Sequence, residues 1–246
     1  MAKIMAVVNL TPDSFFAPSR VRAERAQERI RALLDEGADL IDLGAVSTRP
    51  GAGDVGLEAE WARLEPVVRG WDPAVPLSVD TTRAEIVRRV CDCAGPFLVN
   101  DISAGEDDPQ MVETVGRLGL PYVAMHKRGN PRTMDALSAY PEGIVPALEA
   151  YFRAFALRAD EAGIADWILD PGLGFAKTAE QNWEILEQLD RLQSFGRPIL
   201  VGAADKRFTG GDTERAHRLA LRGGAAILRV HDVPAARRTI DNFLSQ

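Results

Sequence analysis

The sequence is poor in cysteine. Cys91 and Cys93 are the only two in 246 residues, and their C-x-C spacing within a predicted helix points them to different faces. This argues against a disulfide framework or a zinc site, and it makes a reducing cytoplasm the expected compartment.

Long apolar runs and an excess of positive charge are also missing. The longest apolar run near the N-terminus, Ile4 to Val8, stops at Asn9, far short of the roughly 18 residues of a membrane span. No signal-peptide pattern is recognised. Lys and Arg number 29 against 36 Asp and Glu, a formal net charge of -7, which argues against nucleic acid or an anionic membrane as the main partner. With 46% apolar residues, the chain is expected to be one soluble globular body.

Short apolar runs recur along the chain, and helical patterns separate most of them. There are eight such runs: Ile4–Leu10, Leu40–Leu43, Leu77–Val79, Phe97–Val99, Tyr122–Met125, Trp167–Leu169, Ile199–Val201 and Ala226–Arg229. This alternation indicates βα units around a buried parallel sheet. Eight units in about 250 residues favour a (β/α)8 TIM barrel over a doubly wound sheet. No linker or low-complexity tract interrupts the chain, so residues 1–246 are predicted to form a single α/β domain.

Polar residues follow each apolar run, where a barrel of this class builds its active site. The candidates are Asn9, Asp13, Arg49, Asp80, Asn100, His126, Asp170, Lys206, Arg229 and His231. Any one of them could be an ordinary helix cap or turn residue. Together they predict a polar rim at one end of the barrel. His217, by contrast, is interpreted as a solvated helix residue.

The residue types on this rim indicate what kind of ligand it would bind. Asp80, Asn100 and Asp170 offer hydrogen-bond acceptors suited to a flat heterocycle with N–H and amino donors, and Lys206 could donate to a carbonyl or ring nitrogen. A guanine-like or pterin-like ring has these groups.

A second set of residues suits a phosphate group. Arg49, Arg229 and His231 supply positive charge. Asn9 and Asp13 could hold Mg²⁺, which prefers hard oxygen ligands and often shares a site with substrate phosphates.

Seven motifs, in order along nearly the whole chain, make it resemble the dihydropteroate synthase family of pterin-binding barrels. They are NLTPDSF (9–15), STRPGA (47–52), SVDT (78–81), VNDIS (99–103), MH with G-x-PRTM (125–134), LDPGLGFAKT (169–178) and RVHDV (229–233). One such motif would be weak, but seven in sequence are highly specific.

The resemblance implies a transferase of folate synthesis, the target of sulfonamides. It would join 6-hydroxymethyl-7,8-dihydropterin pyrophosphate to p-aminobenzoate, giving 7,8-dihydropteroate and pyrophosphate. It assigns the pterin to Asp80, Asn100, Met125, Asp170 and Lys206. It implies that Arg49, Arg229 and His231 hold pyrophosphate, with a Mg²⁺ cofactor at Asn9 and Asp13, and that p-aminobenzoate lies near Phe15, Thr48, Pro50 and Phe175. With Lys206, these three pyrophosphate residues are the catalytic candidates. The resemblance also implies a homodimer through the last helices.

The seventh unit departs from the family pattern. Family members usually have Ser-Arg-Lys-Ser where this chain has Ala204-Asp205-Lys206-Arg207, so Arg207 could either pair with the p-aminobenzoate carboxylate or block its pocket. The stretch 208–221 is short and predicts a reduced seventh helix. A non-catalytic pterin-binding paralogue therefore stays open as an alternative. A pterin-dependent methyltransferase, which shares the barrel and a similar Asp-Asn-Asp pocket, is a less favoured one.

Overall fold

The structure, a computed structural model, describes residues 1–11, 19–46, 55–130, 133–204 and 206–245. Its strands are β1 (Lys3–Asn9), β2 (Leu40–Gly44), β3 (Leu77–Asp80), β4 (Leu98–Asp101), β5 (Tyr122–Met125), β6 (Trp167–Asp170), β7 (Leu200–Val201) and β8 (Ile227–Val230). Its α-helices are α1 (Ser19–Asp35), α2 (Leu57–Val68), α3 (Ala84–Ala94), α4 (Met111–Leu118), α5 (Ile144–Ala162), α6 (Ala179–Glu187), α7 (Thr213–Arg222) and α8 (Val233–Leu244).

All neighbouring strands pair in parallel, in the order β6-β5-β4-β3-β2-β1-β8-β7. A parallel bridge between Leu169 and Ile199 joins β6 to the residue before β7 and closes the ring. The fold is a (β/α)8 TIM barrel, and each of the eight predicted runs contains or overlaps one of its strands.

Helix ends follow the local sequence. α4 and α5 stop at Gly119 and Gly163, both left-handed, where glycine has no Cβ penalty. α6 starts with a capping box in which Thr178 and Gln181 exchange side-chain and backbone hydrogen bonds. The seventh unit has a short 3₁₀ turn at Arg207–Thr209 followed by the ten residues of α7, a helix longer than α4 and α6.

The inside of the barrel is layered. At its N-terminal end lies a small apolar cluster, consisting of Met5, Leu40, Leu98, Val123, Leu200 and Ile227. The next residues that face inward on the same strands, two positions later, include Asp42 and Arg229 and are markedly more polar. The apolar plug thus supports a polar layer directly beneath the rim.

Two expectations about single side chains had different outcomes. Cys91 and Cys93 are free and half-buried, as the helical spacing predicted. The interpretation of His217 as solvated is wrong: it is 3% exposed on the inner face of α7, and Nε2 has no hydrogen-bond partner among the described residues. Burial lowers the pKa of His217 to about 4, so the ring is neutral. In the described ranges, no helix has the length and apolar character needed to cross a membrane.

Candidate active site

Strand register brings four neighbouring strand ends to one level. Asn9 is the register partner of Gly44, Gly44 of Asp80, and Asp80 of Asn100. On the other side of the barrel, Met125 is level with Asp170. The sheet therefore places Asn9, Asp80, Asn100 and Asp170 at one end of the barrel and sets their spacing.

Beneath the rim lies a residue that sequence reasoning missed, Asp42 on β2. It is completely buried and accepts hydrogen bonds from Ser78 Oγ at 2.6 Å, from Asn100 Nδ2 at 3.2 and 3.3 Å and from Arg229 Nε at 2.8 Å. Arg229 Nη2 lies 2.7 Å from Asp42 and 2.8 Å from Asp80. We call Asp42, Ser78, Asp80, Asn100 and Arg229 the carboxylate network.

Crowding of charge within the carboxylate network changes its ionisation. Burial raises the pKa of Asp80 to about 7; Arg229 opposes that rise, and Asp42 adds to it. Burial lowers the pKa of Arg229, but the charges of Asp42 and Asp80 outweigh that effect and raise it above its ordinary value. Near neutral pH, Asp80 can therefore change protonation while Arg229 remains a cation.

Asp170 is fixed by the loop that follows β6. Its Oδ1 accepts a hydrogen bond from the Gly172 amide at 2.8 Å, and burial raises its pKa. Gly172 has φ +66, and a Cβ there would lie 2.0 Å from the carbonyl oxygen of His126. The glycine of the DPG motif is thus required both for the turn and for the close approach of β5.

The same loop forms an apolar wall. Met125 and Phe175 pack together with Ile102, Met134 and Ala176 in a cluster separate from the main core. An apolar face beside convergent polar groups is the usual composition of a small-molecule pocket.

Lys206 reaches the site along this wall. Its Nζ lies 4.4 Å from the centroid of the Phe175 ring, and its Cδ lies 3.2 Å from where a Cβ of Gly174 would be. Burial and the nearby charge of Arg229 lower the pKa of Lys206 to about 8, against the opposite effects of Asp170 and Asp80. Near neutral pH it is mostly a cation within a mixed cluster of charges.

His126 and Lys177 hold the β6–α6 loop and are not free rim groups. Lys177 Nζ is 2.9 Å from His126 Nδ1 and donates to the carbonyl oxygens of Gly172 and Phe175, each at 2.9 Å. Burial lowers the pKa of His126 to about 2 and that of Lys177 to about 7. His126 is buried and neutral, so its expected place on the open rim is wrong. The only sign of this contact in the sequence is the lysine of the FAKT motif.

The remaining predicted residues are placed as follows. Asn9 and His231 are half-buried at the ends of β1 and β8, and Arg207 is exposed next to Lys206. Asn9 Oδ1 lies close to Gly44, 3.5 Å from a Cβ built there. Five expected residues lie outside the described ranges: Asp13, Phe15, Thr48, Arg49 and Pro50.

Asn9 could supply one hard oxygen to a metal ion. In the described part of the chain, no group of three His, Cys, Asp or Glu side chains could hold a metal by itself. Mg²⁺ typically keeps several waters and uses one or two protein ligands together with substrate phosphates. A single amide oxygen is compatible with that mode.

Comparison with known proteins decides the family. Residues 5–231 match the family described as pterin binding enzyme. The chain belongs to this family. It is 38% identical to a dihydropteroate synthase of Synechocystis, over 94% of this chain and 86% of that protein.

Solved structures agree with this assignment. The dihydropteroate synthase of Yersinia pestis in a sulfonamide drug complex has a TM-score of 0.90 at 32% identity, covering 99% of this chain and 94% of that one. The enzyme of Thermus thermophilus in complex with 4-aminobenzoate has a TM-score of 0.86 at 36% identity, covering 99% and 94%. These likenesses support the function of a dihydropteroate synthase, a transferase of folate biosynthesis.

Proposed function

We propose that the carboxylate network and the β6–α6 loop form the two halves of a pterin pyrophosphate site in a single barrel domain. The observation that carries this proposal is the convergence of acceptors and cations at one barrel end. Asp80, Asn100 and Asp170 offer acceptors, Lys206 and Arg229 offer donors, and Met125 and Phe175 supply an apolar surface for a flat ring.

The reaction needs no protein nucleophile. The bond between the exocyclic carbon of the pterin and the pyrophosphate oxygen breaks, and its electron pair leaves with pyrophosphate. The aniline nitrogen of p-aminobenzoate then forms the new C–N bond and loses a proton. Arg229, with Arg49 and His231, stabilises the negative charge that grows on the leaving group, and Lys206 and the ring acceptors fix the orientation of the pterin.

Mg²⁺ is part of this proposal. Asn9 and Asp13 would hold it beside the substrate phosphates, and it would neutralise part of the pyrophosphate charge. A titration of activity against Mg²⁺ in the parent and in Asn9→Ala tests this assignment, which predicts a higher Mg²⁺ requirement in the variant.

The p-aminobenzoate side is assigned to Phe15, Thr48, Pro50, Phe175 and Arg207. Arg207 is exposed and makes no ion pair within the described part of the chain. A guanidinium pairs well with a carboxylate, so we propose that Arg207 binds the carboxylate of p-aminobenzoate in place of the usual serine.

One assay separates this function from its alternative, a non-catalytic pterin-binding paralogue. Purified protein is incubated with the pterin pyrophosphate, p-aminobenzoate and Mg²⁺, and both pyrophosphate and dihydropteroate are measured, with Asp170→Asn as control. Equal amounts of the two products support the proposal. Pyrophosphate without dihydropteroate would show a failed second-substrate pocket, and binding without release would favour the paralogue.

The assembly and its location are proposed from the family resemblance. We expect a homodimer through the last helices, which light scattering would detect as twice the mass of the chain. The two free, half-buried cysteines accord with a reducing compartment such as the cytoplasm.

A further inference from the structure

We propose that Asp42, which lies below the pterin site, is a positioning residue that sets which groups of the site accept hydrogen bonds and which donate them. The inference rests on the proposed function of the site and adds to it the reason why Asn100 presents an acceptor to the ring.

The orientation of the Asn100 amide is the first step. An asparagine side chain has one accepting end and one donating end. Asp42 is completely buried, and its carboxylate, paired with the Arg229 guanidinium, has only acceptors to offer. The NH₂ end of Asn100 must therefore face Asp42, as the contacts from Nδ2 at 3.2 and 3.3 Å show. Oδ1 then faces away from Asp42 and is left to accept hydrogen bonds from a ligand.

The orientation of Arg229 is the second step. Asp42 Oδ2 accepts from Nε at 2.8 Å and lies 2.7 Å from Nη2, so one edge of the guanidinium is fixed from below. Nη2 also reaches Asp80 at 2.8 Å. The other nitrogen, Nη1, is left on the edge away from this clamp, and the side chain is still 25% exposed.

Saturation of Asp42 is the third step. Ser78 Oγ donates to Oδ1 at 2.6 Å, and Arg229 and Asn100 complete its partners. A buried carboxylate with this many donors has little freedom to turn. Asp42 therefore fixes which atoms of Asn100 on β4 and of Arg229 on β8 face the ligand.

The test exchanges the donor and acceptor at the Asp42–Asn100 contact. In Asp42→Asn, the new amide can donate, so Asn100 is free to turn over and present NH₂ to the N–H groups of the ring. In the double variant Asp42→Asn with Asn100→Asp, the amide at position 42 donates to a carboxylate at position 100, which again offers an acceptor to the site. The total charge of the pair equals that of the parent.

Asp101→Asn is the matched control. Asp101 is also completely buried, on the strand next to β3, and its carboxylate accepts from Ser103 and Gly105 amides and from the Tyr122 hydroxyl. Asp101 directly follows Asn100 on β4, but none of its hydrogen-bond partners belongs to the carboxylate network. This variant therefore reports the cost of losing a neighbouring buried carboxylate whose hydrogen bonds lie outside the network.

Affinity for 6-hydroxymethyl-7,8-dihydropterin pyrophosphate, without p-aminobenzoate, is measured by calorimetry alongside Tm. We expect Asp42→Asn to weaken binding at least tenfold, the double variant to recover at least half of that loss on a logarithmic scale, and Asp101→Asn to lower Tm with binding within about threefold of the parent.

Three results would overturn the inference: parent-like binding in Asp42→Asn, no recovery in the double variant, or failure of both variants to fold, which would make Asp42 a purely structural residue. If the parent itself does not bind the pterin, the proposed function fails first, and that outcome is distinct from all three.

Discussion

The two sides of the rim hold their polar groups by different means. In the carboxylate network, side chains from β2, β3, β4 and β8 bind one another, with Asp42 at the centre. Across the barrel, Asp170 and Lys177 are held by the backbone of the β6–α6 loop. The first side is held by contacts between polar and charged side chains, and the second is held by hydrogen bonds to the loop backbone.

This difference determines what each side tolerates. Strand positions are set by the sheet, so an isosteric change in the carboxylate network alters charge and hydrogen-bond polarity while the backbone keeps its place. In the loop, one added methyl group can displace the backbone itself. Substitutions on the two sides should therefore have different effects.

Removing the cation of the network should have the largest effect. Arg229→Ala is expected to lower turnover by about a hundredfold to a thousandfold, because one preorganised donor to a developing anion is worth about 3 to 4 kcal/mol. It should also lower the free energy of unfolding by about 3 kcal/mol, because Asp42 is left buried without its partner. Steady-state kinetics and urea unfolding measure the two effects, with Arg229→Lys as the charge-retaining control. Turnover within about tenfold of the parent would exclude the assigned role.

Of the single methyl groups that could be added to the β6–α6 loop, the one in Gly172→Ala should destabilise the fold most. Its Cβ would approach the carbonyl oxygen of His126 to 2.0 Å at a φ of +66, so we expect a loss of about 3 kcal/mol in unfolding free energy. Gly119 has a similar φ, +63, but open space around it. Gly119→Ala should therefore cost only about 1 to 2 kcal/mol. Equal losses would show that the close approach to β5 is unimportant.

Asp80 should give stability and ligand binding opposite dependences on pH. Burial raises its pKa from 3.8 to about 7, so the folded state binds the proton more tightly than the unfolded chain. Its contribution to stability is full below about pH 4 and is lost as pH rises through about 7. Pterin affinity, for which the proposed function needs the Asp80 carboxylate as acceptor, should rise over the same range, by up to about tenfold.

Asp80→Asn should remove the Asp80 component from both profiles and leave the contributions of Lys177 and Lys206, whose lowered pKa values make stability rise with pH. Urea unfolding and calorimetric titration with the pterin pyrophosphate, each between about pH 5 and pH 8, measure them. If the variant retains the pH dependence of the parent, the group that titrates is another member of the network and not Asp80.

The smallest effect is expected at the second-substrate pocket. Arg207 is exposed, and an exposed ion pair contributes at most about 1 kcal/mol. Arg207→Ala should therefore raise KM for p-aminobenzoate about threefold to fivefold and leave KM for the pterin substrate unchanged. A lower KM for p-aminobenzoate would instead show that Arg207 obstructs the pocket, and Arg207→Ser should then lower it further.

The strand ends were predictable because each buried strand is an apolar run and the polar residue after it marks the rim. Asp80, Asn100 and Asp170 were found in this way. Asp42 was hidden because it lies inside such a run, in LIDLG. Its partner Arg229 is 187 positions away, so only the closed barrel brings them together. A carboxylate within an otherwise apolar strand is itself a signal, since an unpaired buried charge is costly.

The histidines show the opposite error. His126 follows a strand and His217 lies among charged residues, and both patterns indicate an exposed ring. Packing decides otherwise: the Tyr151 ring lies against His126 at 4.8 Å between centroids, and α7 turns His217 inward. The orientation of one side chain at a strand end or on a short helix depends on neighbours that are distant in sequence.

A crystal structure of the protein with the pterin pyrophosphate bound would show whether Asp42, Asn100 and Arg229 hold the polarity of the pterin site. We expect the ring against Met125, with its N–H donors on Asp170 Oδ2 and Asn100 Oδ1. We expect Lys206 Nζ within hydrogen-bond distance of the ring and Arg229 still held by Asp42. A ring bound elsewhere, or Asn100 presenting its NH₂ group to the ring, would contradict these expectations.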